Sequence, residues 1–250
     1  MTNNIPSHFD ETFLHWFREQ TEETWQSYRT FSFEEFVASR VGGSDWQQGT
    51  CWLNGLNEQE ITAIEQRYHL RFPPDYRLFL KTLHSVDRLQ VGAKYKGGHE
   101  MFPITKPSFY NWQTDTEAIQ DAYEWLVSGL FFDVQHNDLW PQSWGTKPAT
   151  AEAQETRVRE LVDAAPKLVP VFAHRYLLAE PCEAGNPILS IWQSDIIIYD
   201  TNLYDYFLDE FGALCGVSNE DRQRLKAASN QEIQKRFEAY RAIPFWGEFL

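Results

Sequence analysis

Hydrophobic residues recur at helical spacing in several segments of the chain. In the first fifty residues they follow the i, i+4, i+7, i+8 spacing of one helix face, as Phe9, Phe13, Trp16 and Phe17. Further helix starts are indicated by residues that favour N-caps, namely Thr114, Asn202, Ser218 and Asn230. The pattern predicts helices at both ends of the chain and between them.

The clearest predicted helices flank two consecutive prolines. Asn57 and Glu60 have the spacing of a capping box, and an apolar stripe follows at Ile61, Ile64 and Tyr68. Pro73 and Pro74 are expected to end this helix and start the next, because proline fits only a first helical turn. The second helix then presents Tyr76, Phe79, Leu80 and Leu83.

Short apolar runs between the helices predict strands. Residues 86–113 are typical of short strands, with a turn at Gly97-Gly98, and 130–134 is predicted as a strand after a helix that stops at Gly129. Gln193-Ser194 separates the last two of three later runs, 168–172, 188–192 and 195–199. Adjacent strand pairs bracketed by helices predict an α+β fold with one mostly antiparallel, mixed sheet.

Composition narrows the class of protein. Hydrophobic residues make up 42%, with 18 Phe, 11 Tyr and 10 Trp, so wholesale disorder is excluded. The net charge is −14, and no fifty-residue stretch is strongly basic. Nucleic acids and anionic membranes are therefore not expected as partners, whereas a basic protein surface is.

The whole chain is predicted to form one domain. A helical N-terminal extension (1–49) and a helical C-terminal extension (213–250) flank a core at 50–212. The N-terminus lacks a signal-peptide pattern, and the cysteines are odd in number and widely spaced, at Cys51, Cys182 and Cys215. This usage suits a reducing compartment, so a cytoplasmic location is expected.

One short segment has residues suited to catalysis or metal binding. Asp133, His136 and Asp138 lie within six residues, close enough in sequence to bind a metal or to exchange protons in a hydrolase. The alternative is that the carboxylates make turn hydrogen bonds while His136 packs on Trp140 or faces solvent. No second cluster completes a coordination sphere, so the sequence assigns no catalytic, cofactor-binding or metal-binding residue, and no cofactor is expected.

Other candidates are recognition residues. Arg175 and Tyr176 follow a predicted strand and would suit an anion, although Arg175 could equally pair with an acidic neighbour while Tyr176 covers the core. Aromatic side chains are good interface anchors, and Trp140 and Trp144, in the loop 135–149, are expected to be partly accessible. Asp133, His136, Asp138, Trp140, Trp144, Arg175 and Tyr176 are thus the predicted partner-binding candidates.

The segment from Trp52 to Leu80 resembles the opening signature of the SUKH superfamily. A tryptophan precedes a capped helix start with an internal glutamate, followed by a Pro-x-Asp-Tyr motif, and the matching residues are Leu56, Glu60, Ile61, Glu65, Pro73, Asp75, Tyr76, Phe79 and Leu80. Phe72 replaces the usual leucine, and Asn57 stands where serine or threonine is usual. The resemblance extends over about residues 50–212.

This resemblance implies a cofactor-free α+β protein that binds other proteins. The superfamily includes the yeast cell-wall-synthesis regulator and many bacterial immunity proteins, which neutralise toxins by covering their active sites. The resemblance therefore implies an immunity-like protein with a basic toxin domain as a possible partner, or alternatively a regulatory adaptor. It implies no catalytic residues.

Overall fold

A computed structural model describes residues 5–39, 43–96, 100–227, 235 and 238–250. Within them the chain forms an α+β fold. The helices are α1 (Glu11–Ser27), α2 (Phe33–Ser39), α3 (Glu58–Tyr68), α4 (Pro74–Thr82), α5 (Thr116–His136), α6 (Ala151–Ala164), α7 (Leu203–Phe211) and α8 (Asn219–Ala227). The strands are β1 (Gly43–Asp45), β2 (Gln90–Lys96), β3 (Glu100–Lys106), β4 (Leu168–Phe172), β5 (Arg175–Leu178), β6 (Ile188–Trp192) and β7 (Asp195–Asp200).

The strands form two sheets where the sequence predicted one. The first has the order β1-β2-β3 and the second β4-β5-β6-β7. Every neighbouring pair in these two sheets is antiparallel, so the mixed character expected of the sheet is wrong for the described strands. An isolated bridge between Phe109 and Phe172 joins the segment after β3 to β4.

The N-terminal helix is part of the core. Asp10 caps α1 by accepting a hydrogen bond from the backbone N–H of Phe13 (2.9 Å). The ring of Phe17 then lies 4.9 Å from that of Phe207 on α7. Because Phe13, Phe17 and Trp25 are all fully buried, α1 shares one hydrophobic core with the residues predicted as the central region.

The two predicted helices form on either side of the prolines, but the prediction that the prolines end the first helix is wrong. Asn57 accepts hydrogen bonds from the N–H groups of α3, and Glu60 completes the capping box. Helix α3 ends at Tyr68, before the prolines, because His69 adopts a left-handed conformation (φ 51°); α4 begins with Pro74. Glu65 of α3 accepts a hydrogen bond from the N–H of Phe72 (2.8 Å) and so holds the connection between the helices.

The predicted strand at 130–134 is wrong, because α5 runs unbroken to His136. A short apolar run cannot by itself distinguish a strand from a buried helix segment. Gly129 does not stop the helix. A Cβ atom at that position would lie 3.2 Å from Cα of Gln193, so the glycine permits close approach of the turn between β6 and β7.

The remaining predictions fall partly outside the described residues. Helix α8 forms behind Ser218, whose hydroxyl accepts a hydrogen bond from the N–H of Asp221 (3.0 Å). The predicted turn at Gly97-Gly98 and the cap at Asn230 lie outside the described residues. Across the described ranges, none of the helices has the length and apolarity to cross a membrane.

Candidate functional site

Asp133 joins helix α5 to the turn of the β6–β7 hairpin. Both the backbone N–H and the hydroxyl of Ser194 donate to Oδ2 of Asp133, the former at 2.8 Å. The side-chain amide of Asn137 donates to Oδ1 at 2.6 Å. Asp133 is buried, so its carboxylate is placed to hold the hairpin against the helix.

The hydrogen bonds of Asp133 favour its ionised form. Burial alone would raise the pKa of this carboxyl, since it penalises the charged form. The hydrogen bonds from Ser194 and Asn137, with the nearby His136 ring, outweigh burial and lower the pKa of Asp133 below its ordinary value. A carboxylate with these partners is a structural acceptor rather than a general acid.

The hairpin turn itself needs this contact. Gln193 has a positive φ of 58°, a conformation that costs a residue with a side chain about 1 kcal/mol or more. The turn lacks the glycine that such hairpins favour. Its close approach to Gly129 and the two bonds from Ser194 to Asp133 hold it in place.

His136 and Asp138 do not join Asp133 in one cluster. The His136 ring is stacked on Phe132 (4.2 Å between centroids, 19° between planes) and its Nδ1 lies 2.9 Å from the carbonyl oxygen of Phe132. Asp138 follows the end of α5 with a positive φ of 55° and is exposed. Within the described parts of the chain, no three His, Cys, Asp or Glu side chains are grouped to hold a metal ion.

The two loop tryptophans have different environments. Trp140 is half-buried, and its indole N–H donates to the carbonyl of Gly145 (2.8 Å). Trp144 is 2% exposed and stacks on Phe245 at 5.9 Å. The expectation that Trp144 is accessible is therefore wrong, because the C-terminal residues cover it.

The two partner-binding candidates on β5, Arg175 and Tyr176, also have different environments. The guanidinium of Arg175 lies over the ring of Tyr199 (3.8 Å), and its Nη1 donates to Ser190 (2.9 Å). Tyr176 is buried, and its hydroxyl donates to the carbonyl of Ala122 on α5 (2.8 Å). Tyr176 thus fastens the sheet to α5, and its burial leaves no surface for a partner, which corrects its selection as a partner-binding candidate.

Among the described residues, the two most exposed of the large apolar aromatic side chains, Trp192 and Phe132, lie on the β6–β7 hairpin and on α5. We define the α5–hairpin surface as Trp125, Phe132, His136, Trp192 and Ile197. Trp192 is 55% exposed, Ile197 51% and Phe132 45%. The rings of Trp125 and Trp192 lie 5.1 Å apart, so helix and hairpin meet through these two tryptophans.

Sequence reasoning found this surface only in part. It singled out His136, and it missed Phe132 because the run around it was predicted as a strand. Trp125 and Phe132 are seven residues apart, two helical turns on one face. His136 follows Phe132 by four residues and lies on the same face. This helical spacing would have indicated the surface if the predicted helix had been extended through Gly129.

Comparison with protein families gives one match. The model of the SMI1 / KNR4 family (SUKH-1) matches residues 55–146, which include the α3–α4 helix pair, β2, β3 and α5. This confirms the resemblance seen in the Trp52–Leu80 signature; its extension through the β4–β7 sheet stays a prediction. Comparisons with curated proteins and with solved structures found no match.

Proposed function

We propose that the chain works by binding another protein, because its residues 55–146 match the model of the SMI1 / KNR4 family (SUKH-1). The family is generally non-catalytic. The observation that carries the proposal is the α5–hairpin surface, where three large apolar side chains are each about half exposed on a fixed framework. Exposed apolar groups gathered in one place are typical of interaction sites.

The surface has the physical properties of a preformed interface. Asp133 fixes the hairpin to α5, and Tyr176 fixes the sheet to the same helix. A partner would therefore not have to order these elements on binding, which lowers the entropic cost of association. Trp192 and Phe132 present large, exposed rings, and aromatic residues commonly dominate binding energy.

The most specific form of the proposal is an immunity-like protein that neutralises a toxin. The net charge of −14 would attract a basic toxin domain and speed its association. The superfamily's bacterial immunity proteins supply the precedent for this role. The partner is then a basic toxin domain, bound through the α5–hairpin surface in the cytoplasm.

A regulatory adaptor is the second candidate, since the superfamily also includes the yeast cell-wall-synthesis regulator. Such an adaptor would use the same aromatic surface for a partner of the host cell. Gene context separates the two roles, because a toxin gene beside this one favours immunity. A hydrolase or metal enzyme built on Asp133, His136 and Asp138 has less support, since Asp133 is engaged by Ser194 and Asn137.

The proposal is tested with the product of the neighbouring gene. The protein, tagged, is expressed with that product, and both growth and copurification are measured. We expect wild type to capture the product and to restore growth. The double variant Trp192→Ala/Phe132→Ala should weaken binding by about a hundredfold, the loss expected from removing two interface anchors.

Leu89→Ala is the matched control, because Leu89 is also large, apolar and 46% exposed but lies outside the α5–hairpin surface. It should bind as wild type does. Equal binding by wild type and the double variant would remove this surface from the proposal. Failure of wild type to bind any neighbouring product would count against immunity.

A further inference from the structure

A groove lies beside the α5–hairpin surface, between α5, α6 and the end of α3. Its volume is about 690 Å³, within the range of sites that hold a small ligand or a large side chain. The walls are mainly apolar and include Tyr68, Tyr123 and Val162. Tyr123 is fixed there by a hydrogen bond from its hydroxyl to the carbonyl of Leu168 (3.1 Å).

The charged side chains around the groove differ in the hydrogen bonds and ion pairs that they make. Arg159 is bound by both carboxylate oxygens of Glu124 (2.7 and 2.8 Å). The ammonium of Lys167 donates to the backbone carbonyl of Asp163 (2.6 Å). Asp121 and the side chain of Asp163 also line the groove and are exposed. Asp163 adds to the attraction that Glu124 and Glu155 exert on Arg159.

The groove is continuous with the α5–hairpin surface. Asp121 precedes Trp125 by four residues on α5, so the two lie on adjacent turns of the same helix face. Trp125 in turn contacts Trp192 of the hairpin. A protein that covers the aromatic surface would therefore reach the rim of the groove at Asp121.

We infer that the groove receives an arginine or lysine side chain from the bound partner protein. The aliphatic stem of such a side chain would pack on Tyr123 and Val162, while its charged end faces the carboxylates of Asp121 and Asp163. Long basic side chains commonly bury their stems on apolar surface in this way. This inference rests on the proposed function, because it names the group by which a basic partner is recognised.

The test uses fluorescein-labelled nona-arginine as the probe and measures anisotropy at about 0.15 M salt. Asp121→Asn/Asp163→Asn removes both carboxylates and should weaken peptide binding by about tenfold or more. The control Glu19→Gln/Glu23→Gln removes the same charge from exposed positions on α1. It should change affinity by less than about twofold, since distant charges are screened.

Equal losses in the two double variants would overturn the inference, because attraction would then reflect net charge alone. Wild-type affinity in the groove variant, or no binding by wild type, would overturn it as well. In the capture experiment, a partner that binds wild type and Asp121→Asn/Asp163→Asn equally overturns the groove and leaves the proposed function standing. The reverse result, peptide binding in the groove without any captured partner, counts against the proposed function alone.

Discussion

The α3–α4 helix pair and the α5–hairpin contact each include a buried aspartate, Asp75 and Asp133, but the two carboxyls respond oppositely to their surroundings. Asp75 of α4 accepts hydrogen bonds from the N–H groups of Tyr76 and Gly185 (2.9 and 2.8 Å). Burial dominates there and raises the pKa of Asp75. Asp133 has three side-chain and backbone donors, and these lower the pKa of Asp133.

The difference shows how much each contact depends on charge. At Asp133 the ionised form is the better partner of Ser194 and Asn137, so the contact strengthens the fold at neutral pH. At Asp75 ionisation is opposed by burial, and the helix pair relies instead on its capping box and apolar stripe. The α5–hairpin contact should therefore be the more sensitive of the two to a single substitution.

The largest effect is expected from Asp133→Ala. The change leaves the donors of Ser194 and Asn137 without their acceptor, and loss of hydrogen bonds to a buried charge should lower the free energy of unfolding by about 3 kcal/mol. Urea denaturation measures this free energy of unfolding. Asp195→Ala, an exposed substitution in the same hairpin, should change it by less than about 0.5 kcal/mol; equal losses would show that Asp133 is not the anchor.

The next effect is expected from Gly129→Ala. In an exposed helix this change should stabilise by about 0.5–1 kcal/mol. Here the new methyl group would press on Gln193, so we expect a net loss of about 1 kcal/mol or more. Thermal unfolding measures the stability of this variant against that of Ser128→Ala, a substitution at the exposed neighbouring position. A gain in stability for Gly129→Ala would mean that the hairpin does not pack closely on α5.

Asn57→Ala tests the helix pair and should cost about 1 kcal/mol, the usual contribution of an N-cap. Asn57 accepts from the N–H groups of Gln59 and Glu60 (2.9 and 3.0 Å), and alanine cannot replace it. Urea denaturation compares the variant with Gln66→Ala on the exposed side of α3. A loss as large as that of Asp133→Ala would reverse the ranking of the two regions.

The smallest effect is expected in the pH dependence of stability. A carboxyl whose pKa is lowered by folding stabilises the fold above its unfolded pKa and loses that contribution as pH falls through the folded pKa. The advantage of wild type over Asp133→Asn should thus shrink as the solution is acidified below an ordinary pKa of 3.8. For Asp75, whose pKa is raised by folding, wild type should lose stability relative to Asp75→Asn as pH rises from below 3.8. If the stability difference from wild type changed with pH in the same direction for Asp133→Asn and Asp75→Asn, the opposite pKa shifts would be contradicted.

The sequence predicts the helix pair because its determinants are local. The Asn57–Glu60 box and the turn-forming prolines act within a few residues of one another, so spacing alone identifies them. The α5–hairpin contact depends on Gly129 meeting Gln193, and on Asp133 meeting Ser194, across about sixty residues of chain. From the sequence alone, a glycine such as Gly129 at the end of a helical pattern is interpreted as a helix end. Its contact with the distant Gln193 cannot be inferred from local spacing.

The same distinction between local and distant determinants explains which candidate residues are accessible. His136 was identified from its residue type and it is accessible, whereas burial of Trp144 depends on the C-terminal residues that cover it. Burial of Tyr176 depends on the packing of β5 against α5. Residue type indicates which side chains are capable of recognition, but tertiary packing decides which of them reach the surface.

Amide hydrogen exchange of the protein with and without its captured partner tests the central claim most directly. If the α5–hairpin surface is the recognition site, bound partner should slow exchange in the second half of α5 and in the turn between β6 and β7. The exposed face around Leu89 should exchange at an unchanged rate. Slowed exchange confined to α2, β2 and β3, with α5 and the hairpin unaffected, would contradict the account.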